Sequence, residues 1–164
     1  MNESVFIETT IPSYYVARRS RDIVQAARQE LTIQWWEERR KNYRLFSSAI
    51  VVTEAAMGDP DTSAGRLKLL AEVPLLPITH QVLKVAKELL AAQIVPAKAS
   101  DDAFHIACAG VHHMDFLLTW NCTHIANPHN WRQIAKCFAR QDIPMPVICT
   151  PEEFLGNDYE NTDP

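Results

Sequence analysis

The sequence predicts a single α/β domain of three layers, with a central, mainly parallel, twisted sheet between two layers of helices. Three observations predict it. Short apolar runs of strand length recur at Val5-Phe6-Ile7, Leu45-Phe46-Ser47, Asp115 to Trp120 and Pro146 to Cys149. Between them lie longer stretches whose apolar residues follow helical spacing, and such alternation implies parallel strands with both faces covered. The 164 residues, 47% of them hydrophobic, are enough for one core and fit one domain. That domain is expected over residues 1–155, with an acidic, mobile tail over 156–164.

The elements follow in order. Ser4 to Ile7 reads as a buried strand, followed by the polar loop Glu8-Thr9-Thr10-Ile11, after which Pro12 is placed to start a helix. A long helix is expected from Asp22 to about Lys41, with Val24, Ala27, Leu31 and Trp35 on its inner face. Of Trp35 and Trp36, one can join the core and the other is a candidate interface anchor. Ser48 can cap a helix running to a stop at Gly58-Asp59-Pro60, and Asp61 to Val73 forms another with Leu67, Leu70 and Ala71 as its stripe. Pro74 to Ile78, fenced by prolines, suits an edge strand. Thr79 opens a helix through Val82, Val85, Ala86, Leu89 and Leu90. Ser100 reads as the N-cap of the next, with Asp101 and Asp102 in its first turn, where the helix dipole favours negative charge. Pro128 to about Arg140 is a helix, and Thr150-Pro151-Glu152-Glu153 caps a short last one.

Composition narrows the function classes. No apolar run approaches the ~20 residues of a membrane span, and the chain opens on a strand-like run in place of a basic segment with an apolar one behind it, so a cytoplasmic protein is expected. Cys108, Cys122, Cys137 and Cys149 form no C-x-x-C pair and are read as buried thiols. The net charge of -4 includes five acids in the last fifteen residues, whereas basic groups gather at Arg18, Arg19 and Arg21, at Arg39 to Arg44, and at Arg66 and Lys68. These could meet phosphates if they converge, or be solvated helix faces.

Four polar groups stand out by position. Glu8 follows the first strand, Glu54 lies among apolar neighbours two turns into the helix after the second, Asp102 opens the central acidic helix, and Asn121 follows the run ending at Trp120. Ligands of open α/β sheets collect at the carboxyl edge of the strands. Clustered carboxylates there repel one another unless protonated or neutralised, and their oxygens suit Mg²⁺ or Mn²⁺. Asp101 competes with Asp102 for the inward position, since adjacent helix residues point about 100° apart. Thr9 and Thr119 are candidate supporting hydroxyls. His105, one turn after Asp102, could touch a phosphate, bond Asp101, or be a satisfied half-buried histidine; His124 is equally open.

With these residues the chain resembles the PIN-domain nucleases, especially toxins of the VapC type from bacterial toxin-antitoxin pairs. The match runs through Phe6-Ile7-Glu8-Thr9-Thr10, Glu54, Asp102-Ala103-Phe104-His105-Ile106-Ala107 and Leu118-Thr119-Trp120-Asn121. It departs from the family where Glu8 stands for Asp and Asn121 for the fourth acid. The resemblance implies a PIN-like fold and a metal-dependent ribonuclease, with Glu8, Glu54 and Asp102 holding Mg²⁺ or Mn²⁺ and Asn121 completing the site. It also implies an RNA substrate, a cognate antitoxin as partner and a homodimer. The rival from another class is a non-catalytic PIN-like module that binds RNA or protein.

Overall fold

The structure is a computed structural model that describes residues 2–156; the acidic tail, beyond Gly156, lies outside the described residues. Five strands, β1 (Ser4–Ile7), β2 (Arg44–Ser48), β3 (Leu75–Leu76), β4 (Phe116–Leu118) and β5 (Val147–Cys149), form one sheet in the order β3-β2-β1-β4-β5. Every pairing is parallel. Among the described residues seven α-helices connect them, α1 (Thr10–Val16), α2 (Ile23–Gln34), α3 (Ala49–Ala55), α4 (Pro60–Leu70), α5 (His80–Ala91), α6 (Ser100–Val111) and α7 (Pro128–Ala139), and an eighth, α8 (Pro151–Leu155), follows β5.

The topology follows from handedness. The chain steps outward from β1 through β2 to β3, then returns to the other side of β1 for β4 and β5. Because parallel crossovers are right-handed, reversing the direction of travel moves the helices to the opposite face. Accordingly α1 packs with α2 and α4, while α5 packs with α6 and α7. The strand order reverses between β1 and β4, so their carboxyl ends border the crevice where such sheets bind ligands. The central strand β1 is buried along its whole length, from Ser4 to Ile7.

Several helix ends form as their sequence directs. Ser48, Asp59, Thr79 and Asn127 each cap a helix by accepting a backbone N–H, and Thr150 with Glu153 forms a reciprocal capping box. Others differ. α1 begins at Thr10, two residues before Pro12, and its N-cap Thr9 makes no cap bond because its hydroxyl is spent on Glu54. Ser100 is the first helical residue of α6; the cap position falls to Ala99, after a 3-10 turn over Ala97–Ala99.

The long helix expected to Lys41 stops being α-helical at Gln34, continuing as a π-turn over Trp35–Arg39 and a 3-10 turn over Arg40–Asn42. Its inner face also differs. Val24 is 59% exposed and Ala27 is exposed, while Gln29 and Thr32 are buried. Hydrogen bonding explains the exchange: Gln29 takes Ser20 N at 2.9 Å and gives to Arg18 O at 2.9 Å. Thr32 Oγ1 gives to Arg28 O at 2.6 Å and takes Trp120 Nε1 at 2.7 Å. Buried polar groups are tolerated when satisfied in this way.

Trp35 and Trp36 are both buried, which removes either as an exposed interface anchor. Trp35 meets Tyr43 and Phe154, and Trp36 meets Tyr15. Cys108, Cys137 and Cys149 are buried as expected, but Cys122 is exposed. Burial pushes the Cys108 thiol up to about 12, so it is an inert packing group.

Gly110 of α6 lies directly against the ring of Phe138 from α7. A Cβ there would lie 2.5 Å from Phe138 Cζ and 2.7 Å from Cε1, and Phe138 is fully buried. Gly110→Ala is expected to lower unfolding stability by about 1–3 kcal/mol, the usual cost of overpacking a core. Urea unfolding of the two forms measures it; equal midpoints would show that the helices part freely here.

Candidate metal centre

Glu8 leaves β1 at its carboxyl end, where its N–H still pairs with Leu118 O at 3.2 Å, and its side chain lies in the crevice between β1 and β4. It is 3% exposed. Three donors satisfy it: Thr10 Oγ1 at 2.5 Å, Thr119 Oγ1 at 2.6 Å and Thr10 N at 3.1 Å. Both hydroxyls are themselves oriented by the loop after β4. Trp120 N donates to Thr10 Oγ1 at 2.8 Å and Asn121 N to Thr119 Oγ1 at 2.9 Å. Two backbone N–H groups thereby act through two threonines on one carboxylate.

Glu54 reaches the same crevice from the last turn of α3. Its Oε1 accepts from Thr9 Oγ1 at 2.7 Å and contacts His105 Nε2 at 2.6 Å. His105, on the buried face of α6, is fully enclosed, and its Nδ1 has no partner. A carboxylate oxygen only accepts, so the contact is written with Nε2–H donating to Glu54.

Among the described residues, Glu8, Glu54 and His105 form a group whose possible ligand atoms all lie within 4.8 Å of one another. Asp102 stands beside this trio. It acts electrostatically on His105, but its Oδ2 is bonded to His124 Nδ1 at 2.6 Å. Of the adjacent pair, Asp101 is exposed and Asp102 is partly buried. Asn121 turns its Oδ1 to His124 N at 3.0 Å.

The distribution of hydrogen bonds within each carboxylate is uneven. All the bonds to Glu8 end on Oε2, those to Glu54 on Oε1, and that to Asp102 on Oδ2. Among the described residues each acid therefore keeps one oxygen without a donor while the other is anchored. Anchored carboxylates with a spare oxygen fit a hard divalent cation, which takes oxygen ligands and relieves their mutual repulsion.

The electrostatics agree with the crowding. Burial pushes the Glu8 carboxyl above its ordinary range, against the charge of His105 and the threonine hydrogen bonds. Burial pushes Glu54 the same way, but the hydrogen bond and charge of His105, with Thr9, outweigh it and hold Glu54 low. For His105, burial works against the charged form, yet Glu54, Glu8 and Asp102 together raise it. One imidazole thus serves as the countercharge to several acids.

Thr9 and Thr119, the supporting hydroxyls expected from the sequence, bond Glu54 and Glu8 respectively. Thr10, which the sequence does not single out, carries the shortest bond to Glu8; its signal is a hydroxyl two residues after the acid, the spacing of a local side-chain turn. His105, expected to touch a phosphate, to bond Asp101 or to be a satisfied half-buried histidine, is instead fully buried, with Nε2 on Glu54 and Nδ1 without a partner.

No protein-family model matches the chain, and no curated protein matches it. Among solved structures, one chain of the crystal structure of VapBC2 from Rickettsia felis bound to a DNA fragment from their promoter superposes with a TM-score of 0.56. The alignment covers 90% of this chain and 98% of that one, at 15% identity. The likeness supports the fold: a three-layer α/β/α architecture around an all-parallel sheet, consistent with a PIN-like domain. No helix of the described residues is long and apolar enough to cross a membrane.

A group whose folded pKa lies above its unfolded value favours folding at low pH, and that advantage is lost as pH rises through the folded value. Glu8 is such a group, so its ionisation opposes folding at neutral pH in metal-free protein. Glu8→Gln keeps an acceptor for the threonines and is expected to be more stable than the unaltered protein at pH 7, by a margin that shrinks as pH falls towards 4.5. Urea unfolding in chelator across that range measures the margin; a Gln form less stable at pH 7 would contradict it.

Proposed function

We propose that this chain is a metal-dependent ribonuclease of the VapC type, the toxin half of a toxin-antitoxin pair, acting in the cytoplasm. The observation that carries the reading is the pair Glu8 and Glu54, anchored through one oxygen each at the switch point of the sheet. Glu8, Glu54 and Asp102 would hold Mg²⁺ or Mn²⁺, with Asn121 in the fourth position. The ion would supply Lewis-acid stabilisation of the phosphoryl charge.

The chain's own residues prepare that site. Thr10 and Thr119 stop the Glu8 carboxylate from rotating, and Thr9 with His105 does the same for Glu54. Preorganised groups need no rearrangement when charge develops on the phosphate. Arg18, Arg19 and Arg21, exposed between α1 and α2, are candidate contacts for the RNA backbone. Arg66 is committed elsewhere, donating to Ala55 O at 2.9 Å and to Met57 O. An antitoxin partner is supported by the VapBC2 likeness, and a homodimer is part of the same reading.

The alternative, a non-catalytic binding module, draws on Asn121, which brings no charge and already bonds His124 N. Cleavage decides between them. With Mn²⁺ or Mg²⁺ present the purified protein is expected to cut single-stranded RNA, and Glu54→Gln to lower the rate about 100-fold or more, because the ion contributes several kcal/mol to the transition state. RNA binding with no metal-dependent cleavage would leave the binding module as the function.

A further inference from the structure

We propose that His124 is a positioning residue for Asp102, and that Asn121 serves the site by building the turn that carries His124. The inference rests on the metal-dependent reading above; it gives His124 a role there and assigns Asn121, whose Oδ1 is taken by His124 N, to the turn and not to the fourth ligand position. The contact that starts the argument is the 2.6 Å distance between His124 Nδ1 and Asp102 Oδ2. An ionised carboxylate can only accept, so Nδ1 carries the proton and donates it.

The backbone that carries the ring is held as well. His124 N donates to Asn121 Oδ1 at 3.0 Å, His124 O accepts from Asn130 Nδ2 at 3.0 Å, and Asn127 Nδ2 reaches Thr123 O at 2.8 Å. Asn121 O also accepts from Ile125 N at 3.1 Å and Ala126 N at 2.8 Å. Asn121 is thus the hub of the turn, and the turn begins two residues after Thr119, the residue that holds Glu8.

Asp102 needs such a hold. It lies in the first turn of α6, where unpaired N–H groups and the helix dipole attract a carboxylate back onto its own backbone, and the last torsion of an Asp side chain is broad. His124 takes Oδ2, and among the described residues Oδ1 accepts no hydrogen bond. An acid at position 121 would accept the same N–H but add a further negative charge to Glu8, Glu54 and Asp102. The amide builds the turn without that charge.

The test is calorimetric titration of Mn²⁺ into the full chain and its variants. His124→Ala is expected to weaken Mn²⁺ binding about 10- to 100-fold, the usual cost of losing a hydrogen-bond partner of a metal ligand. His124→Asn, whose amide N–H sits near the position of Nδ1, should restore most of the loss. In an Asp102→Ala background, His124→Ala should weaken binding no further. Unchanged affinity in His124→Ala would overturn the proposal. So would an Asn variant as damaged as the Ala variant, or an equal loss with Asp102 already removed. Mn²⁺ binding with the expected pattern but without RNA cleavage would sustain the positioning role and remove the ribonuclease reading. An unaltered protein that binds no Mn²⁺ would overturn both.

Discussion

Glu8 and Glu54 are brought within a few ångströms of each other at the carboxyl edge of a parallel sheet, one of them almost wholly out of water. Like charges at that distance in a poorly solvated place oppose their own ionisation. The surrounding structure answers this constraint. Thr10 and Thr119 donate hydroxyl hydrogen bonds to Glu8, Thr9 donates one to Glu54, and His105 is buried at full depth to face Glu54. Even the start of α1 reflects it, since Thr9 satisfies Glu54 in place of capping its own helix.

The sheet order makes the arrangement possible. With β1 central and β4 beside it, the loops leaving both strands run into one crevice, so that Trp120 N and Asn121 N can reach the hydroxyls that hold Glu8. β2 on the other side of β1 leads through Ser48 into α3 and delivers Glu54 from above the same edge. Further support comes from Ser47, whose hydroxyl donates to Ile7 O at 3.0 Å inside the core. The acids thus depend on contacts between elements far apart in sequence, and the site forms only with the whole sheet.

Much of this was legible in the sequence because it rests on period and punctuation. Strand-length apolar runs, the Ser48, Thr79 and Thr150 caps and the proline-fenced edge strand all appear where local chemistry puts them. Glu8 and Glu54 could be picked out because a carboxylate at a strand end or amid apolar neighbours calls for a partner. Long-range hydrogen bonds were not legible. Gln29 and Thr32 displaced Val24 and Ala27 from the buried face of α2 because Ser20, Arg18 and Trp120 supply partners that no local pattern reveals. Both tryptophans went inside because the backbone widens to a π-turn at Trp35, which changes the faces that a regular helix would present. The link from His124 to Asp102 spans twenty-two residues and has no sequence period at all.

If these anchored carboxylates form a site for a divalent cation, linkage reveals it without any substrate. A ligand that binds only the folded chain raises its stability by RT ln(1 + [L]/Kd), about 2.7 kcal/mol at one hundred times Kd. The urea midpoint of the full chain should therefore climb steadily with Mn²⁺ concentration, and the climb should vanish when Glu8 and Glu54 are both changed to Gln. A midpoint that stays where it is as Mn²⁺ is raised to about a hundred times the Kd of an ordinary micromolar site, or that climbs equally in the double variant, would contradict the account.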